Sequence, residues 1–129
     1  MFNISLEEKY AVIKVVSDKL NSLNAPDLKN KFVTLASEDV KNVVLDLSDV
    51  KFCDSSGLSA ILVGNRVSKN SNGTFVVSGI KDMVEKLIQI SQLDSILNIT
   101  PTITEARDLI FMEEVERDFD NSEKWKIYI

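Results

Sequence analysis

One stretch, residues 43 to 63, constrains the fold of this chain more than any other. Its first five residues are aliphatic except for Asp46, a pattern that predicts a strand buried on both faces of a parallel sheet. After a polar crossing, an apolar helix opens on Asp54, Ser55 and Ser56, whose side-chain oxygens are all candidates to cap its first turn. The serines are therefore expected where a strand passes into a helix, which is where open α/β sheets place their sites.

Apolar periodicity and turn signals predict the elements around this stretch. They are, in chain order, a hairpin of strands over 2–6 and 9–16, a polar loop from Asp18 to Asn24, a helix capped by Asn24, a strand over 74–77, a helix over 81–90, a strand over 96–99 and a helix opened by a capping box of Thr102 and Glu105. Gly64, in the middle of the serine-headed helix, predicts a close approach to the sheet. Parallel crossovers then imply an α/β fold with a mixed sheet of four to five strands and about four helices, packed mainly on one face.

Composition limits the classes of partner. The chain has 129 residues, enough for one domain with a core, and its formal net charge is -5. Nucleic acid and anionic membranes select basic patches, so neither is expected to be the main partner. No apolar run approaches the roughly 20 residues of a membrane span, and the first residues lack the pattern of a signal peptide. We therefore expect no membrane insertion and a cytoplasmic protein.

The same composition disfavours catalysis. The chain has no histidine and one cysteine, Cys53, which removes the usual general base, the Ser/His/Asp triad and any thiolate cluster for zinc. Asp54 stands where a Gly-x-Ser-x-Gly motif needs its first glycine. An enzyme would have to use magnesium bound by acidic residues such as Asp46, Asp49 and Asp54, and nothing in their spacing selects such a site. We predict no catalytic residue, no metal and no cofactor.

Two interpretations of the serine pair follow from the residues alone. In the first, Asp54, Ser55 and Ser56 only cap the helix. In the second, a serine is phosphorylated, because a phosphate at a helix N-terminus meets free N–H groups and the positive end of the helix dipole. A phosphate there would add about -1.5 to -2 charge beside Asp54 and would change the surface while preserving the fold.

The residues from Leu45 to Leu62, with Asp-Ser-Ser-Gly-Leu at 54–58, resemble the signature of the STAS family, in its small bacterial anti-sigma factor antagonist form. The resemblance covers roughly residues 2 to 112. It implies that the serine before the Gly-Leu pair, Ser56, is phosphorylated by a partner that is both anti-sigma factor and serine kinase, and that a serine phosphatase reverses the modification. It also implies that the unphosphorylated protein binds the anti-sigma factor and thereby frees a sigma factor.

The resemblance also assigns a site. Ser56 is the expected phosphoacceptor, with Ser55 as the alternative. The expected partner-binding surface consists of Asn21, Asp54, Ser55, Gly57 and Leu58. Asn21 is a departure from the family pattern, because family members often carry a carboxylate in this loop.

Two further expectations remain open. The chain divides into a STAS domain over 1–112 and an acidic C-terminal extension over 113–129, which holds six acidic and three basic residues. Phe111, Val115 and Phe119 recur every fourth residue as in a helix, whereas Trp125, Ile127 and Ile129 alternate as in a strand. The extension either folds back on its own domain or binds a partner, including a second copy. As an alternative function, the protein is a constitutive accessory subunit of a transporter or sensory complex.

Overall fold

The computed structural model describes the backbone of residues 1–126 and the side chains of residues 1–119. The strands are β1 (Phe2–Leu6), β2 (Ala11–Val15), β3 (Lys19–Leu20), β4 (Val43–Asp46), β5 (Phe52–Cys53), β6 (Phe75–Ser78) and β7 (Asn98–Thr100). The helices are α1 (Ala25–Ser37), α2 (Ser55–Asn70), α3 (Asp82–Ile90) and α4 (Ile103–Lys126), and a 3-10 turn spans Leu93–Ser95.

Five strands form one mixed sheet in the order β1-β2-β4-β6-β7. β1 pairs antiparallel with β2, with Ile4 opposite Ile13, and the other neighbouring strands of this sheet are parallel. β4 lies at the centre and is buried along its whole length, as the aliphatic run predicts. The expected mixed α/β sheet, with its opening hairpin, is confirmed.

Helices cover both faces of the sheet, but unequally. α1, α2 and α3 enclose the larger core on one face, to which β4 contributes Val43 and Leu45. α4 covers part of the other face, where Ala106 and Ile110 pack on Val44 and Val76. The prediction of helices mainly on one face is confirmed, since three of the four described helices share it.

Gly64 sets the distance between α2 and its neighbours. A Cβ atom at this position would lie 2.6 Å from a ring carbon of Phe75 and 2.8 Å from ring carbons of Phe32. These two rings meet edge to face, with centroids 5.5 Å apart. The predicted close approach of α2 to the sheet is therefore confirmed.

Two predictions about the loop before α1 are wrong. The segment predicted as a polar loop, from Asp18 to Asn24, contains β3. Asn24 precedes α1, but its side chain does not cap the helix. Instead its Oδ1 accepts a hydrogen bond from the Asn21 N–H at 2.9 Å, and its Nδ2 donates to the Lys19 oxygen at 2.8 Å. Asn24, which is buried, is used to shape the loop.

The boundaries near the last strand also differ from the prediction. The strand expected over 96–99 is β7, which begins two residues later, at Asn98. Ile96 and Leu97 are not part of the strand, since they continue the turn that follows the 3-10 segment. The start of α4 follows the prediction, since the Thr102 hydroxyl oxygen accepts a hydrogen bond from the Glu105 N–H at 3.3 Å.

α4 runs unbroken across residues 112 and 113, so the acidic extension begins within a helix. Glu113 and Glu114 contact the rest of the domain through Thr74 and Asn42. The strand alternative is wrong for Trp125, whose backbone is helical, and Ile127 and Ile129 lie outside the described residues. The division of the chain at residue 112 stays a prediction.

Candidate functional site

The turn between β5 and α2 is capped by Asp54. This residue has extended backbone angles, φ -106° and ψ -172°, and its carboxylate accepts a hydrogen bond from the Gly57 N–H at 3.0 Å. Its carbonyl oxygen accepts the Leu58 N–H at 3.0 Å, which is the first bond of the helix ladder. Of the three cap candidates, Asp54 is therefore the one that caps α2.

The two serines occupy the first two positions inside α2. Ser55 is exposed and Ser56 is half-buried. Neither hydroxyl has a hydrogen-bond partner among the side chains and backbone that the structure describes. Their oxygen atoms are thus not used by the fold and are available for another role.

Gly57 and Leu58 lie inside the protein. A Cβ atom at Gly57 would lie 2.5 Å from both the Leu20 backbone oxygen and the Cys53 Sγ atom, and Leu58 belongs to the main core. The structure gives both residues a packing role. Their part in partner binding stays a prediction. Because both residues are buried, they would influence a partner by setting the position of the serine turn.

A short second sheet brings the loop of Asn21 to this turn. β3 and β5 pair in parallel, with Leu20 opposite Cys53, and the Asp54 N–H donates to the Leu20 oxygen at 3.3 Å. Asn21 follows directly, half-buried, and its Oδ1 accepts the Leu23 N–H at 3.0 Å. The side chain of Asn21 therefore orders its own loop beside the serine turn.

A cleft of about 310 Å³ opens between the N-terminal ends of α1 and α2. Its lining consists of Ser22, Ala25, Pro26, Lys29, Ser55, Ser56 and Ser59. Lys29 is the only charged residue in this lining, and it has no ion pair among residues 1–119. The Lys29 ammonium group and the two helix N-termini contribute positive charge to the cleft, which the Asp54 carboxylate at the start of α2 and Asp27 in the first turn of α1 partly offset.

Sequence reasoning missed Lys29 and Ser22. No motif distinguishes Lys29 from the other lysines of the chain, and its position at the cleft depends on the packing of α1 against α2. The nearest signal was Pro26, which places the start of α1 one turn before Lys29.

Apolar side chains surround the turn. Leu23 is 85% exposed, Phe52 47% and Met83 54%. Leu23 lies in the loop after Asn21, Phe52 lies in β5, and Met83 lies in α3, which contacts β5. Exposed leucine, methionine and aromatic side chains beside polar groups are typical of protein interfaces.

Cys53 lies beside the serine turn with its thiol partly buried. Burial, with the nearby Asp54 carboxylate as a smaller cause, raises the pKa of the Cys53 thiol from 9.0 to about 11. The thiol is therefore protonated at neutral pH. Within the part of the chain whose side chains are described, no three acidic, cysteine or histidine residues lie together in a group suited to a metal ion.

None of the described helices has the length and apolar character needed to span a membrane.

Known proteins resemble this chain in both sequence and fold. The STAS domain family model matches residues 3–106. A Thermotoga maritima protein, provisionally named an anti-sigma factor antagonist, is 33% identical over 107 residues, which are 82% of this chain and 90% of that protein. A crystal structure titled as an antagonist of the same kind from that organism has a TM-score of 0.75 at 28% identity, covering 84% of this chain and 93% of the other.

A second similar structure is that of the Bacillus cell fate determinant SpoIIAA in its phosphorylated form. Its TM-score is 0.67 at 20% identity, and the alignment covers 85% of this chain and 99% of SpoIIAA. At this identity the likeness concerns the fold alone. The family model and the Thermotoga relative together show that the chain belongs to the STAS domain family.

Proposed function

We propose that the protein is an anti-sigma factor antagonist controlled by reversible phosphorylation of Ser56. In this proposal its unphosphorylated form binds an anti-sigma factor that is also a serine kinase, in the cytoplasm, and so releases a sigma factor. A serine phosphatase restores the binding form. The protein acts as ligand and substrate, and it needs no catalytic residue or cofactor of its own.

One observation carries the proposal: the Ser56 hydroxyl lines an open cleft and has no hydrogen-bond partner among the described residues, while Asp54 caps the helix. If Ser56 served only to start α2, its hydroxyl would be expected to bond a free N–H group of the first turn. With the cap supplied by another residue, Ser56 can be modified without loss of the helix start.

A phosphate on Ser56 would act on the surface around the turn. It would add about -1.5 to -2 charge beside the Asp54 carboxylate and close to the exposed Leu23 and Phe52 side chains. A partner that covers these apolar groups would have to desolvate the phosphate, and a loss of about 1.4 kcal/mol already lowers affinity tenfold.

The relatives support the general function. The Thermotoga protein carries the antagonist name, and its alignment with this chain includes most of both proteins. SpoIIAA, which shares the fold, exists in a phosphorylated form.

The decisive experiment combines a mass measurement with a binding measurement. Peptide mapping of the protein from its native host, grown with and without stress, should find a phosphate on Ser56 whose occupancy changes. Ser56→Asp should bind an anti-sigma factor kinase of the native host at least about tenfold more weakly than wild type. Ser5→Asp, which adds the same charge at an exposed position in β1, should bind as wild type does.

Two results would contradict the proposal. An absence of phosphate under every growth condition would favour the constitutive accessory subunit of a transporter or sensory complex. Phosphate on Ser55, with none on Ser56, would place the modification one residue earlier and refute the assignment to Ser56.

A further inference from the structure

α4 presents an apolar stripe on the side that faces away from the domain. The stripe consists of Phe111, Met112 and Val115, and we call it the α4 stripe. Met112 is 61% exposed and Val115 66%. Spacings of three and four residues place these side chains on one face of the helix. Phe111 begins the stripe and packs edge to face on Tyr10 at a centroid distance of 6.1 Å.

A polar cluster on the opposite side of α4 fixes this orientation. Asn42 Nδ2 donates to Glu114 at 2.8 Å, and Arg117 donates to Glu114 at 2.7 Å and to the Thr74 hydroxyl at 3.2 Å. The Thr74 hydroxyl in turn donates to Glu113. These bonds tie residues 113–117 to the start of β4 and β6, so the apolar side chains on the opposite side of the helix face outward.

Charges around the α4 stripe are mainly acidic. Asp108, Glu116 and Asp118 are exposed, and their helical positions place Asp108 at the N-terminal end of the stripe and the other two on either side of it. Arg117 points inward to Glu113 and Glu114. Arg107 forms an exposed pair with Asp108 at 3.8 Å, which offsets part of one charge. The rim of the stripe therefore carries a net negative charge.

We propose that the α4 stripe is a second docking surface, and that its occupant is an amphipathic helix of a partner protein with an apolar face flanked by lysine or arginine. An amphipathic helix buries its apolar face on such a stripe, and basic flanking residues would pair with Asp108, Glu116 and Asp118. The exposed methionine and phenylalanine side chains suit a surface that adapts to a partner. A second copy of the chain is a poorer occupant, because two acidic rims would face each other.

The position of this surface gives it a distinct use. α4 packs on the face of the sheet opposite to α1 and α2, whereas the serine cleft lies between those two helices. A partner on the α4 stripe would leave Ser56 uncovered. The protein could then hold two partners at once, and docking at α4 would not depend on the state of the serine.

The test uses the full chain and a fluorescent synthetic helix with a leucine face flanked by lysines. Its matched control is the same helix with glutamates in the flanking positions. Fluorescence anisotropy should show binding of the lysine peptide only, weakening as salt is added. Val115→Ser should lower this affinity by about tenfold, because a valine contact is lost, whereas Val33→Ser on α1 should leave it unchanged. Val33 is a fair control because it is 55% exposed.

Charge reversal and mapping complete the test. A chain carrying Glu116→Lys and Asp118→Lys should prefer the glutamate peptide, and Ser56→Asp should bind the lysine peptide as wild type does. Amide shifts on titration should be centred on residues 108–119. Equal binding of both peptides, or shifts centred on β1 and α1, would refute the proposal. A concentration-dependent dimer that Val115→Ser abolishes would also refute it, by making a second copy the occupant.

Discussion

Gly57 packs so closely on Leu20 that a Cβ atom at position 57 would lie 2.5 Å from the Leu20 backbone oxygen. Leu20 belongs to β3, whose pairing with β5 holds the loop of Asn21 against the start of α2. The glycine before Leu58 therefore joins the serine turn to the neighbouring loop. Its role here is steric, because a side chain would separate the two segments.

Gly57→Ala should destabilise the protein even though alanine is the better helix former. The added methyl group must displace the Leu20 backbone or the Cys53 side chain, and overpacking of this kind costs roughly 1 to 3 kcal/mol. Urea unfolding followed by circular dichroism would measure the loss. Ser55→Ala, at an exposed position in the same turn, should change the free energy of unfolding by less than about 0.5 kcal/mol.

Capping by Asp54 leads to a second prediction, which separates the two interpretations of the serine pair. Asp54→Ala should lower the free energy of unfolding by about 1 kcal/mol, because the Gly57 N–H loses its acceptor. Ser56→Ala should cost less than half of this amount, since the Ser56 hydroxyl has no partner among the described residues. A larger loss for Ser56→Ala than for Asp54→Ala would mean that the serine caps the helix.

The central part of this site could be predicted from sequence because its signals are local. The aliphatic run that becomes β4 and the polar triplet at the head of α2 lie within one stretch of the chain. β3 and β5 were missed because each has two residues, and their pairing joins segments more than thirty positions apart. Pattern reasoning on a window of the chain contains no information about such a contact.

The errors at Asn24 and in the serine cleft have a similar cause. Asn24 has a residue type that favours caps, but the bonds it makes to Asn21 and Lys19 depend on the path of the loop around it. Lys29 reaches the cleft through the packing of α1 on α2. In both cases tertiary structure decides among roles that local sequence leaves equivalent.

Lys29 should lower the second pKa of a phosphate on Ser56. The ammonium group shares the cleft with Ser56, and a nearby positive charge stabilises the dianion over the monoanion. Phosphoserine incorporated at position 56 during translation would allow this pKa to be measured by phosphorus NMR. Lys29→Gln should raise this phosphate pKa toward the value of free phosphoserine, about 6.

Lys31→Gln is the matched control for that measurement. Lys31 lies on the same helix, but its Nζ atom sits 5.6 Å from the centre of the Phe2 ring, away from the cleft. Its removal should leave the phosphate pKa unchanged. An equal effect of both substitutions would show that only the net charge of the protein matters.

Glu114 should make the attachment of α4 dependent on pH. The hydrogen bond from Asn42, followed by the bond and charge of Arg117 and the charge of Lys41, lowers the pKa of Glu114 from 4.5 to about 2, although partial burial opposes this shift. A carboxyl group whose pKa is lowered by folding stabilises the folded state when it is ionised. Its contribution is therefore complete above pH 4.5 and is lost as the pH falls toward 2.

Glu114→Gln measures that contribution directly. At neutral pH the variant should be less stable than wild type by about 1 kcal/mol, a modest value because solvent reaches the cluster and screens its charges. The difference between the two proteins should shrink below pH 4.5 and disappear only as the pH falls through about 2, in thermal unfolding followed across that range. Glu116→Gln, on the exposed side of α4, should show no such trend. A stability difference that stays constant with pH would mean that the Glu114 charge does not contribute to holding α4 in place.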